Sequence, residues 1–159
     1  LGVTGSGKSV FARNLIRQIA NEDTKVVCLD FTNEYRVKLA DLIGGSLVEG
    51  DQAESMFTAI DAISNEMDEF ANRRNKTLIA SKENELREGF KTALQGFVAS
   101  DNKAVLFELP DVTNSAGILE YTKWFFKALF ELAKARELDG RKICVVLEEA
   151  HTIVPEWNF

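Results

Sequence analysis

The sequence predicts an α/β protein, a mainly parallel sheet held between two layers of helices with a helical insertion in the chain. Short, partly β-branched apolar runs at 25–31, 104–109 and 143–147 read as interior parallel strands. The segments between them carry helical periodicity. A glycine-rich loop at 2–9 passes straight into the first of these helices. The chain has 159 residues, of which 45% are apolar and eleven are Phe, enough volume for the core of one domain. A net charge of -6 excludes a broad basic surface, so any nucleic-acid contact must come from a local patch or from other subunits.

Val10, Phe11, Leu15, Ile16 and Ile19 recur at helical spacing, which predicts a helix from 8 to about 20. A strand follows from Lys25 to Phe31. Gly44-Gly45 and Gly50-Asp51 mark loops, after which Met56, Ile60, Ile63, Met67 and Phe70 define one helical face. Leu86, Phe90, Ala93, Leu94 and Phe97 define another, with Asn72 to Lys82 as a polar, basic-tinged connection. This pair is expected to be an insertion over about 51–100. Next come the strand Ala104 to Leu109, closed by Pro110-Asp111, and a long helix marked by Ile118, Tyr121, Phe125, Ala128, Leu129 and Leu132, which Gly140 is expected to end. The last strand, Ile143 to Leu147, runs into Glu148-Glu149.

Cys28 and Cys144 lie inside strand runs and read as small hydrophobes rather than ligands or bridges. With no charged leader and no apolar stretch near the ~20 residues of a membrane span, a reducing cytoplasm and no membrane association are expected. Leu1 meets the glycine loop at once, where a launching strand is usual, and Trp157-Asn158-Phe159 follows the last strand with no closing helix. One domain over 1–159, incomplete at both ends, is the expectation.

Gly2-Val3-Thr4-Gly5-Ser6-Gly7-Lys8-Ser9 satisfies G-x-x-x-x-G-K-[ST], the pattern of a loop whose glycines let backbone N–H groups turn around phosphate oxygens. The helix that follows directs its positive end at the same anion, which adds Val10 to the binding stretch. Lys8 is expected to reach the β- and γ-phosphates of ATP and Ser9 to place its hydroxyl on Mg²⁺. Val145-Val146-Leu147-Glu148-Glu149 has the form of a strand delivering two carboxylates beside that loop. Glu148 is expected to hold Mg²⁺ through water, and Glu149 to polarise the water that attacks the γ-phosphate. His151, the lone histidine, is open to either a structural or a γ-phosphate-sensing role. Asp30 and Glu34 could border the same cleft, or Asp30 could cap a turn. Arg73-Arg74-Asn75-Lys76 reads as a solvated charge run or a phosphate-backbone contact.

Together the Thr4-Gly5-Ser6-Gly7-Lys8-Ser9 loop, the Leu29-Asp30-Phe31-Thr32-Asn33-Glu34-Tyr35 stretch and Glu148-Glu149-Ala150-His151 resemble the HerA/FtsK branch of P-loop ATPases, and HerA-like proteins above all. The resemblance covers nearly the whole chain, with 51–100 matching only as a variable helical insertion. It implies a RecA-like (ASCE) core working as a homo-hexamer that pumps double-stranded DNA through a central pore, beside a nuclease or other effector. In this branch, sensor residues and an arginine donated to the neighbouring subunit come later in the chain than residue 159. The chain departs from the family pattern where Glu148 replaces an Asp, where Phe31 and Asn33 replace Pro and Gly, and where Glu108-Leu109-Pro110 stands in place of Asp-Leu-Ser. Two readings follow: a DNA translocase, or an ATP-dependent switch, assembly or secretion ATPase acting on a protein partner.

Overall fold

The computed structural model describes residues 7–20, 23–31, 35–43, 51–66, 75–108 and 115–147. In chain order the elements are α1 (Lys8–Ile19), β1 (Thr24–Asp30), α2 (Tyr35–Lys38), α3 (Ala40–Ile43), α4 (Asp51–Glu66), α5 (Lys76–Ala99), β2 (Ala104–Glu108), α6 (Ser115–Ala135) and β3 (Lys142–Leu147). The strands form a parallel sheet in the order β2-β1-β3. Val26, Val27, Cys28 and Leu29 of the central strand are fully buried, because helices cover both faces.

Alternation along the strands separates two cores. Val27, Leu29, Val105 and Phe107 point to one face, where α4, α5 and α6 supply Met56, Ile60, Ile63, Leu86, Phe90, Leu94, Tyr121 and Phe125. Val26, Cys28, Ala104 and Leu106 point to the other, against Ile16 and Ala20 at the end of α1 and Tyr35, Leu39 and Ile43 of the α2–α3 segment. This is the expected three-layer α/β arrangement. Both cysteines are free, and Cys28 is buried in the second core. Among the described residues no helix is long and apolar enough to cross a membrane.

The first core is organised around an aromatic cluster. Phe90 of α5 meets Tyr121 of α6 edge-on at 4.7 Å between centroids, and Phe107 of β2 and Phe125 of α6 at 5.6 Å. Edge-to-face pairs of this kind add to the burial of area. The two helices read from sequence as an insertion are therefore most of the layer on this face, although they lie between β1 and β2 in the chain. Gly89 lets α5 approach α4: a Cβ at that position would stand 2.6 Å from Met56 Cγ.

Two boundaries, the start of α5 and the end of α6, differ from the sequence expectation, and two others run out of the described residues. Residues 76–82, read as connection, are the first turns of α5, which starts where Asn75 Oδ1 accepts the Leu78 N–H at 3.1 Å. Those turns fully bury no side chain before Leu86, so they carry no apolar stripe to read. The helix marked by Met56 to Phe70 is described only as far as Glu66, and Met67 and Phe70 lie outside the described residues. β2 is described to Glu108, with Leu109 and Pro110 outside. Finally, α6 ends at Ala135, well before Gly140. Arg136, at φ 60°, closes it in a paired-bond cap with Arg136 N–H to Ala133 O at 3.2 Å and Glu137 N–H to Leu132 O at 2.9 Å. Gly140 instead completes a tight turn with Asp139: both have positive φ, and Arg141 N–H reaches Leu138 O at 2.8 Å.

The amphipathic stripe of α1 is narrower than its apolar content suggests. Ile16 and Ala20 are buried, whereas Phe11 is 69% exposed and Val10 and Leu15 are also exposed. At 3.6 residues per turn Val10 and Phe11 lie about 120–140° around the helix from Ile16, outside the strip that can touch the sheet.

Candidate functional site

In a parallel sheet every strand ends at one edge, and here that edge gathers Asp30, Glu108 and Leu147. Asp30 of β1 is in register with Glu108 of β2, and Leu29 with Leu147 of β3. α1 belongs to the same edge by connectivity. It packs over Val26, Cys144 and Val146, where an apolar cavity of about 240 Å³ separates it from the strands, and its last turn leads into the start of β1. Its first turn, Lys8 and Ser9, therefore lies toward the strands' carboxyl ends, where open α/β sheets bind ligands.

That first turn fits an anion. Gly7 occupies the N-cap position, among the described residues no side chain caps the helix, and no acidic residue stands in its first turn. Among the described residues no side chain takes up the leading amides, in contrast to the Asn75 cap of α5. A Cβ on Gly7 would meet nothing within 4 Å. Val10 is exposed. Gly2, Val3, Thr4, Gly5 and Ser6 lie outside the described residues, as do Glu148, Glu149 and His151. Lys8 and Ser9 are placed as the first two residues of α1. Thr32, Asn33, Glu34, Arg73 and Arg74 also lie outside the described residues.

Asp30 takes the turn role that its sequence position left open. Fully buried, it accepts the Tyr35 N–H on Oδ2 at 2.8 Å and so sets the start of α2. Tyr35 is buried in the second core, which directs the next residue outward. Arg36 then reaches Glu108: its Nη2 lies 2.6 Å from Oε2, and its Nε lies 3.2 and 3.3 Å from the two carboxylate oxygens. The carboxylate is the protected partner, with its side chain 10% exposed against 57% for Arg36. Behind it Tyr121 is fully buried, and burial, with a smaller contribution from the Glu108 charge, pushes its hydroxyl above the ordinary tyrosine range. Sequence reasoning named Glu108 only as a departure from a family pattern and did not single out Arg36. The available signal was an acid ending an apolar strand run, the same signal that marked Asp30.

Residues 1–49 match the family model described as helicase HerA, central domain. Over that segment the chain is HerA-like. The match takes in the glycine loop, α1, β1, α2 and α3, and so includes Asp30, Tyr35 and Arg36. α4 to α6, β2 and β3 follow it. Comparison with curated proteins and with solved structures finds no match for the chain. The HerA-like segment supports an ATPase-type domain of the P-loop class, a class that in general uses nucleotide and Mg²⁺, and the parallel sheet is compatible with it.

Proposed function

We propose that this chain is the ATP-binding and ATP-hydrolysing motor domain of a HerA-like translocase that acts on double-stranded DNA as a homo-hexamer. The reading rests on the G-x-x-x-x-G-K-S stretch at 2–9 running directly into a helix with glycine at its N-cap and no acid in its first turn. In this reading the backbone from Gly2 to Val10 cradles the phosphates, and Lys8 pairs with the β- and γ-phosphates. Ser9 and Glu148 would hold Mg²⁺, Glu148 through a water that its longer side chain can still reach. When bound, the ion neutralises charge between the two terminal phosphates. Glu149 would orient and polarise the attacking water, a role that needs a carboxylate near the metal but not on it. The net charge of -6 is compatible with DNA only if basic groups line a local pore in the assembled ring, where an effector such as a nuclease could also dock.

The deciding measurement is steady-state ATP turnover with and without double-stranded DNA at saturating Mg-ATP. Several-fold stimulation is expected. Turnover indifferent to DNA would sink the translocase and leave a nucleotide-driven switch acting on a protein.

A further inference from the structure

α6 carries two apolar stripes. The inner one, with Tyr121, Phe125, Ala128 and Leu132, belongs to the aromatic core. The outer one holds Phe126, 43% exposed, and Phe130, 65% exposed. With Leu129, Leu138 and Ile143, these two rings line an open groove of about 710 Å³ beside the amino-terminal end of β3. The groove is thus at the opposite end of the sheet from the candidate phosphate edge. Leu119, also exposed, continues the stripe toward the start of the helix. From Leu119 to Ala133 the stripe spans about 21 Å at 1.5 Å per residue, the length of about four helical turns.

The charges around this groove indicate what it takes. Two lysines of this helix layer are neutralised by carboxylates: Lys123, which lines one end of the groove, pairs with Glu120 and Glu83, and Lys91 pairs with Glu131 at 2.9 Å. Lys127 and Lys134 differ. Among the described residues neither makes an ion pair, and each ammonium lies over an aromatic ring, Lys127 at 4.0 Å from the Trp124 centroid and Lys134 at 5.7 Å from that of Phe130. On a chain with six excess negative charges, the one carboxylate that feels Lys127, Glu131, is shared with Lys91 and Arg87, so that among the described residues the exposed aromatic groove is flanked by more cations than acids pair with. An occupant that buries apolar side chains on Phe126 and Phe130 and brings acids to Lys127 and Lys134 satisfies both features at once.

We propose that the outer groove of α6 is the docking site for an acidic amphipathic helix of a partner protein. Apolar residues at i, i+4 and i+7 would seat on the stripe, as in other helix-in-groove recognition, with Asp or Glu flanking them. The floor is apolar rather than a row of cations, which favours a protein segment over a phosphate backbone.

The test uses a fluorescein-labelled peptide of about four helical turns with Leu at that spacing and Glu on its flanks, titrated with the full chain and followed by anisotropy. Saturable binding is expected, weakened about tenfold or more by Phe130→Ser and about fivefold by the double variant Lys127→Glu/Lys134→Glu. Added salt should weaken it further. Phe130 is largely exposed, so its serine variant should keep the wild-type melting temperature and report on docking alone. The proposal is overturned if a peptide with Lys in place of Glu binds equally well, if Phe130→Ser binds unchanged, or if duplex DNA displaces the acidic peptide. It is also overturned if sedimentation shows a dimer that Phe130→Ser dissociates, since the occupant would then be a second copy of the chain.

Discussion

Lys25 shows how a single side chain can join elements distant in sequence. It begins the central strand, is almost wholly buried, and donates to the carbonyls of Phe97, Ser100 and Asn102 at 3.0, 2.5 and 2.9 Å. Three ammonium protons meet three acceptors at the carboxyl end of α5, where the helix leaves its last carbonyls without partners. Lys25→Met should remove this cap at similar volume and lower stability by about 3 kcal/mol, measured by urea unfolding. Burial, and less strongly the charge of Arg141, holds the ammonium below its ordinary value of 10.5, with Asp101 opposing. Between that lowered value and 10.5 the folded chain sheds a proton that the unfolded chain keeps, so the unfolded state binds more protons and stability from this group rises with pH. The advantage of the wild type over Lys25→Met should therefore grow across that window. A flat or falling difference would show that the three carbonyls outweigh burial. At the proposed phosphate site, Lys8→Ala should abolish ATP binding, because it removes the one fixed cation from a loop of neutral amides. Unchanged affinity for a labelled nucleotide would place the phosphates elsewhere. Glu149→Gln should retain Mg-ATP binding and lower turnover ~100-fold or more. If Glu148→Gln alone stopped hydrolysis at saturating Mg²⁺ while Glu149→Gln stayed active, the two roles would be reversed.

At the scale of elements, the ends of helices were the hardest features to read. The start of α1 was legible because glycine spacing and the onset of apolar periodicity coincide at Gly7-Lys8. The start of α5 was hidden, since Asn75 is an effective cap but the turns after it face solvent. The same asparagine ties two elements together, its N–H donating to Glu66 Oε2 at the end of α4 at 2.8 Å. The end of α6 was misplaced because its left-handed cap residue is Arg136, where glycine is the usual signal. That cap yields a prediction. A non-glycine residue at φ 60° carries a steric cost that glycine avoids, so Arg136→Gly should stabilise the chain by about 0.5–1 kcal/mol, seen as a higher urea midpoint at unchanged m-value. A lower midpoint would mean that the arginine side chain contributes more than its backbone costs.

For the molecule as a whole, the layer formed by α4, α5 and α6 is the principal support of the sheet, and Phe90 is at its centre. Phe90→Ala deletes a fully buried ring that touches Phe107, Tyr121 and Phe125 from three different directions. A loss of about 3–5 kcal/mol is expected by urea or thermal unfolding, and a loss below about 1 kcal/mol would show that the cluster collapses around the gap. The strands and the periodic helices were determined by the sequence alone, because a period of two or 3.6 is a local property of a chain, as is the spacing of glycines and a lysine that marks residues 2–9. Tertiary structure decided which strand is central, which stripe of α6 faces inward, that Lys25 caps α5, and that Arg36 holds Glu108. The last two link residues 72 positions apart, Lys25 with Phe97 and Arg36 with Glu108. Nothing in local periodicity specifies such a partner. It is chosen only when strand register and helix packing bring two distant backbones within reach and burial makes an unsatisfied carbonyl or carboxylate costly.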